Sequence, residues 1–349
     1  MTSPQDLTGF GWSNAFQSQL SLEDMEASEP ARVVAVHRNG LDVSGPGFSE
    51  RVGFPPTDAQ DEESWPTVGD WLLVAKADHR PLRLLERKTL FKRRAAGTGR
   101  RIQLIAANVD TLLIVSSCNQ DFNPRRLERY LILARDAGVM PVIVLTKVDL
   151  VDDPTPYRVA AERLMSGLLV ECVDARSDAG VAPLQSWCGP GQTVALVGSS
   201  GVGKSTLVNT LAGNTEQATQ PVRADDDHGR HTTTGRSLHR LADGGWLIDT
   251  PGMRELQLVD SEAGVEALFD DIVALAAQCR FGDCAHDTEP GCAVQAALAD
   301  GTLAPERFRR YRKLQAEEAH NSASIAERRA REKGFGRMVK AIMRDSRKR

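Results

Sequence analysis

Residues 198–205 read Gly-Ser-Ser-Gly-Val-Gly-Lys-Ser, a full match to the phosphate-loop pattern G-x-x-x-x-G-K-[ST]. The apolar run Thr193–Val197 precedes this stretch and the helix-forming run Lys204–Leu211 follows it. Strand, glycine loop and helix in that order are the context the pattern requires. The glycines let backbone N–H groups close around phosphates, and the start of the helix adds a favourable dipole. Gly198, Ser199, Ser200, Gly201, Val202 and Gly203 then form a cradle, with Thr206 in the first helical turn. Lys204 is placed to bridge the β- and γ-phosphates, and the Ser205 hydroxyl to ligate Mg²⁺.

Working outward, Thr146-Lys147-Val148-Asp149 ends the apolar run Val139–Leu145, and open α/β sheets bind ligands at the carboxyl ends of their strands. The tetrapeptide fits the guanine motif [NT]-K-x-D. The Asp149 carboxylate accepts from the ring N–H and the exocyclic amine of guanine, a donor pair that adenine lacks, while the stem of Lys147 lies across the base. Asp249-Thr250-Pro251-Gly252 ends the run Trp246–Ile248 and matches D-x-x-G. Asp249 is expected to hold Mg²⁺ through water, and the Gly252 N–H to face the γ-phosphate. Between them lies Gly229-Arg-His-Thr-Thr-Thr-Gly235, from which Thr233 is expected to complete the Mg²⁺ shell. The guanine motif thus precedes the phosphate loop, the reverse of the usual GTPase order. A parallel sheet tolerates that if old termini are joined and the chain reopened elsewhere, so the domain reads as circularly permuted.

The rest of the chain sets limits. Its 349 residues, 41% hydrophobic and 26% charged, describe an ordinary globular protein of two or three domains. No run approaches a membrane span, and the amino terminus has neither a basic nor an apolar leader, which predicts a cytoplasmic protein with no membrane partner. The net charge of −4 excludes a uniformly basic nucleic-acid coat, yet cations concentrate in 87–101 and again in 328–349, leaving room for local RNA contact. Arg32–His37, Leu41–Val43 and Asp70–Lys76, divided by Gly/Pro turns, read as strands of a small barrel. The segment 87–101 then reads as a linker. From residue 108 apolar strands alternate with helices, the pattern of a parallel sheet covered on both faces. Asn123-Pro124 opens one of those helices.

Six cysteines in such a chain do not read as a disulfide framework. Cys118, Cys172 and Cys188 are scattered along apolar segments, where a small buried side chain is expected. Cys279, Cys284, His286 and Cys292 cluster as three thiolates and an imidazole, a closed tetrahedral set for one structural Zn²⁺.

The motif order, the Gly229–Thr234 stretch, the segment 279–292 and the opening Asn108-Val109-Asp110 together resemble the ribosome small-subunit-dependent GTPase A family, circularly permuted bacterial GTPases. The resemblance spans 31–349 and is most specific over 108–292. It implies an α/β protein with a three-part architecture. An OB-like β-barrel occupies 31–100, a circularly permuted P-loop GTPase domain 101–262, and a helical zinc-binding domain with a basic tail 263–349, with 1–30 as an extension. It further implies a monomer that binds the small ribosomal subunit and its rRNA during late maturation. GTP hydrolysis to GDP and phosphate would be stimulated by that subunit. Met253 follows D-x-x-G where many GTPases carry glutamine, so slow intrinsic turnover is expected, and the resemblance gives His231 the water-positioning role when the ribosome orders its loop. Asp174-Ala175 stands where a Ser-Ala pair usually contacts guanine, which leaves the Ala175 backbone to serve. A GTP-gated RNA-binding scaffold with incidental hydrolysis is the competing reading.

Overall fold

The computed structural model describes residues 7–58, 61–94, 102–213, 236–249 and 261–322. Its first sheet is antiparallel: β1 (Ser28–His37), β2 (Gly40–Gly45), β3 (Phe48–Val52), β4 (Trp71–Ala75) and β5 (Pro81–Leu84) lie in the order β3-β2-β1-β4-β5. Alternation along β4 explains why both of its faces are dry. Leu72 and Val74 point to a core with Val33, Leu41 and Val43, onto which Phe48 and Val52 of β3 and Leu84 of β5 also pack. Trp71 and Leu73 point the other way, to Leu7, Trp12 and Phe16. Trp12 meets Trp71 edge-on at 4.9 Å between ring centroids. Residues 7–20, with a short helix at 14–17, therefore cover that face of the sheet, while the helix 22–27 buries none of its side chains.

Over its described part, residues 87–94, the expected linker is instead part of a strand pair. Leu90–Arg94 (β6) pairs antiparallel with Ile102–Ala107 (β7), and its described cations have partners. Arg87 grips the buried Asp70 through Nε and Nη2, both at 2.8 Å, while Lys88 reaches Asp110 at 2.9 Å and Lys92 reaches Glu63 at 2.5 Å. These pairings are not visible in the local sequence, because the carboxylate partners lie some 17 to 29 positions away along the chain.

The second half holds β8 (Thr111–Ser117), β9 (Met140–Thr146), β10 (Leu169–Cys172), β11 (Thr193–Val197), β12 (Arg236–Arg240) and β13 (Trp246–Asp249). They lie in the order β10-β9-β8-β11-β13-β12, with only β12 antiparallel. Side chains alternate between two cores, Leu112 and Ile114 on one face and Leu113 and Val115 on the other. That is why the strands read as continuous apolar runs. Helices α1 (Pro124–Asp136), α2 (Thr155–Glu162) and α3 (Lys204–Ala212) connect them, α1 capped by Asn123, whose side chain accepts from the Arg125 and Arg126 N–H groups. The chain leaves β8 toward one edge and β11 toward the other, so the crevice between these neighbours is the switch point where such sheets bind ligands.

The two sheets are continuous. β12 pairs antiparallel with β1, Ala35 opposite Ser237 and Val36 opposite Arg236. Arg32 of β1, 1% exposed, crosses the join: it donates to Thr193 Oγ1 at 2.7 Å and to the Phe10 carbonyl. Burial lowers its pKa to about 10, still cationic at neutral pH. Helices α4 (Glu262–Leu268), α5 (Asp270–Ala276), α6 (Ala293–Ala299) and α7 (Pro305–Ser322) then close over α1. Phe308, Tyr311 and Leu314 of α7 are buried in the common core, as their helical spacing predicts. Arg310 pairs with the buried Glu128 of α1 at 2.8 Å. Among the described residues no helix is long and apolar enough to cross a membrane.

Candidate functional site

At the end of β11 the backbone turns through Gly198 at φ +150° and enters α3 through Gly203 at φ +92°. A Cβ at Gly198 would stand 2.3 Å from the Val115 carbonyl oxygen of β8, so only glycine lets the loop lie that close to its neighbour strand. Val202 is buried beneath the loop, and Lys204, also buried, folds its Nζ back to donate to the Ser199 carbonyl oxygen. The ammonium is thus held over the loop by the same backbone that cradles phosphate. Ser205 is half-buried at the helix start and Ser200, Gly201 and Thr206 are exposed around the rim.

The guanine motif meets this loop directly. Thr146, fully buried at the end of β9, places its Oγ1 2.6 Å from the Val202 carbonyl oxygen and 3.1 Å from that of Ser116. Lys147 follows in the left-handed region at φ +59°, a conformation disfavoured by roughly 1–2 kcal/mol for a residue with a Cβ. It turns the chain into the 3-10 turn Val148–Leu150, which carries Asp149. The adjoining loop is pinned as well: Thr210 of α3 donates to the Ala175 carbonyl oxygen at 2.6 Å, and Ser177 caps the helical turn Asp178–Val181.

The sequence reading stopped one residue short here. Arg176 Nη2 lies 2.8 Å from Asp149 Oδ2, and Arg176 Nε lies 3.1 Å from Asp174 Oδ1. The hydrogen bond from Arg176 holds the Asp174 carboxyl below the usual range, and that bond, with the Asp149 charge, raises the guanidinium. A cation two positions past an aspartate was the available signal, and surface Asp-x-Arg is too common to single out. Of the remaining predicted site residues, Asp249 ends β13 beside β11; its side chain lies outside the described residues, as do His231, Thr233 and Gly252.

A second site is built wholly from side chains. The ligand atoms of Cys279, Cys284, His286 and Cys292 lie within 4.8 Å of one another. Cys279 Sγ and Cys292 Sγ are 3.8 Å apart, and each is 3.5 Å from His286 Nδ1. Tetrahedral zinc with ordinary bond lengths requires about 3.8 Å between sulfurs and about 3.6 Å between sulfur and nitrogen. The donor set fits that ion. His286 reaches its place through a left-handed turn at φ +58°. The Glu289 carboxylate ties the knuckle by accepting from the N–H groups of Ala285, Asp287 and Thr288. Burial raises the Cys279 thiol, but the N–H groups of Ala293 and Val294 at the start of α6 outweigh this and hold its pKa below the ordinary value.

A phosphate loop beside a guanine-type strand end, in a sheet whose chain order is rotated, defines a circularly permuted P-loop GTPase. The comparisons agree. The RsgA GTPase family model matches residues 84–259. The chain is 50% identical to the small ribosomal subunit biogenesis GTPase RsgA 2 of Vibrio parahaemolyticus, covering 100% of this chain and 96% of that protein. It is 51% identical to the RsgA of Mesorhizobium japonicum over 92% of each. Among solved structures it resembles YjeQ from Thermotoga maritima, with TM-score 0.61 and 26% identity over 82% of this chain and 97% of that one. It also shares its fold with YloQ, a circularly permuted GTPase, at TM-score 0.58 and 20% identity over 85% and 97% of the two chains. The chain belongs to the RsgA GTPase family, whose members hydrolyse GTP.

Proposed function

We propose that this GTPase takes part in biogenesis of the small ribosomal subunit, the role named for its relatives, that it acts late in that maturation, and that the subunit stimulates its turnover. The observation that carries the nucleotide half is the Thr146–Val202 hydrogen bond. It joins the guanine strand to the phosphate loop, so the two motifs, 198–205 and 146–149, serve one pocket. Lys147 and Asp149 hold the base with the Ala175 backbone, and Gly198–Thr206 hold the phosphates. Ser205, Thr233 and Asp249 are the proposed Mg²⁺ ligands, and the bound ion neutralises charge on the β- and γ-phosphates. Lys204 adds its cation at the same oxygens. Water attacks the γ-phosphorus in line with the bridging oxygen, and that P–O bond breaks with its electron pair staying on the oxygen of GDP. The γ-phosphoryl group leaves as inorganic phosphate after the attacking water has lost a proton to a phosphate oxygen or to solvent. Neutral His231 positions the water by hydrogen bonding, a task that Met253 cannot perform.

The zinc knuckle at 279–292 is structural in this reading, because its four ligands leave no open position. The barrel of 31–100, the GTPase domain of 101–262 and the helical unit of 263–349 act as a cytoplasmic monomer, with the barrel and the cations of 328–349 as rRNA contacts. Purified small subunits should multiply GTP hydrolysis, and His231→Ala should remove most of that gain, on the order of 10²-fold for a residue that handles the reacting water. Turnover unchanged by added subunits would instead support the GTP-gated scaffold.

A further inference from the structure

Asp149 is already occupied by a group that imitates its ligand. Guanine offers a carboxylate two in-plane N–H donors, from the ring nitrogen and the exocyclic amine. A guanidinium offers planar N–H donors of the same kind. Arg176 Nη2 sits 2.8 Å from Asp149 Oδ2, a place the base needs, and is shared with Asp174 Oδ2 at 3.4 Å, while its Nε lies 3.1 Å from Asp174 Oδ1.

We propose that Arg176 is a built-in competitor for the guanine carboxylate, and that Asp174 is the station to which it withdraws when nucleotide enters. The proposal rests on the guanine reading of Asp149. A serine hydroxyl could not hold the displaced cation, so Arg176 would return to Asp149 and oppose the base.

The surroundings favour motion of this side chain alone. Arg176 is 63% exposed in its side chain, against 23% for Asp149 and 29% for Asp174. The backbone beneath is fixed. The Ala175 carbonyl accepts from Thr210, and Gly180 packs so closely on Asp174 that a Cβ there would lie 2.2 Å from the Asp174 carbonyl oxygen. Arg176 already bonds Asp174 through both Nε and Nη2, so freeing Asp149 requires it to give up only the Nη2 contact. Nucleotide meets a competent pocket only in the fraction of molecules with Asp149 free, and apparent affinity falls by that fraction.

The test is GDP binding by calorimetry, with association rates from stopped-flow fluorescence of a labelled GDP. The proteins are the full chain and its variants Arg176→Ala, Asp174→Ser and the double substitution. Because exposed ion pairs are weak, Arg176→Ala should tighten GDP by about two- to fivefold, mostly through faster association. Asp174→Ser should weaken it by a similar factor. The double variant should bind like Arg176→Ala, since Asp174 acts only through the arginine. Weaker binding by Arg176→Ala, or an Asp174→Ser defect that persists without the arginine, overturns the proposal. Asp149→Asn keeps the failures distinguishable: an amide cannot accept from both guanine donors, so unchanged GDP affinity in that variant defeats the guanine reading itself.

Discussion

The nucleotide loop and the cysteine knuckle are built in opposite ways. At 198–205 the donors are backbone N–H groups, and the sequence contributes mainly by omission, with Gly198 where a side chain would collide and Gly201 and Gly203 at positive φ. The loop's shape is imposed by β8, β9 and β11, packed on both faces. At 279–292 the donors are four side chains on a short irregular stretch between α5 and α6, mostly half-exposed. Little apolar burial holds that stretch, so the ion it suits must supply the closure. One site is a rigid cradle awaiting a ligand; the other depends on its ligand to be a site.

That contrast predicts the largest effect. Structural zinc contributes on the order of 10 kcal/mol to small domains that fold only with metal. Chelation should therefore release one zinc per chain and open the amides of 279–299 to hydrogen exchange. GDP affinity should stay within about twofold, since the two sites share no ligand or loop. Loss of GDP binding in parallel with zinc would break the comparison and make the knuckle part of the nucleotide domain's own stability.

A smaller effect should fall on the other site alone. Thr146→Val keeps the side-chain shape but removes the hydroxyl between Val202 and Ser116. The buried carbonyls left behind cost about 1–3 kcal/mol of stability. GDP affinity should fall by about fivefold or more, as the loop loses its tie to the guanine strand. Zinc content should not change. A variant with normal GDP affinity would mean that the cradle is positioned by sheet packing without this bond.

Both sites were legible because their chemistry demands particular residue types at fixed local spacing. The match between 198–205 and its flanking strand and helix is complete in the sequence, and the cysteine spacing points to a donor set that fits zinc. Strands such as Thr193–Val197 were legible as apolar runs for the same local reason. Partnerships made across long separations were not. Arg87 reads as part of a cationic linker because Asp70 is brought beside it only by the fold of the antiparallel sheet. Residues before β1 had no periodicity to read, since what orders them is Trp71 on a strand some 60 positions later. Nor did any local pattern announce that β12 would pair with β1. Arg176 is the sharpest case, because its meaning depends on two carboxylates brought together by separate strand ends.

The smallest effect concerns how the knuckle's helices are fastened to the rest. Arg307 of α7 reaches both carboxylate oxygens of Asp271 on α5 at 2.7 Å, donates to the carbonyls of Leu268 and Leu164, and lies 4.8 Å over Phe269. Burial pushes the Asp271 carboxyl up, but the hydrogen bonds and charge of Arg307 outweigh it and hold the pKa below 3.8. A carboxylate depressed on folding contributes stability that is complete above its unfolded pKa and disappears as pH falls through the folded value. Asp271 is 44% exposed in its side chain, so solvent screening limits the contribution to about 1 kcal/mol or less. Asp271→Asn should therefore melt slightly below the parent protein, by a difference that is constant from about pH 7 to about pH 5 and closes only below about pH 4. Acid release of zinc affects parent and variant alike and leaves that difference readable. A gap that stays open in acid would show that Asp271 acts through packing, and the fastening of the zinc unit would then be as insensitive to charge as the cradle on the sheet.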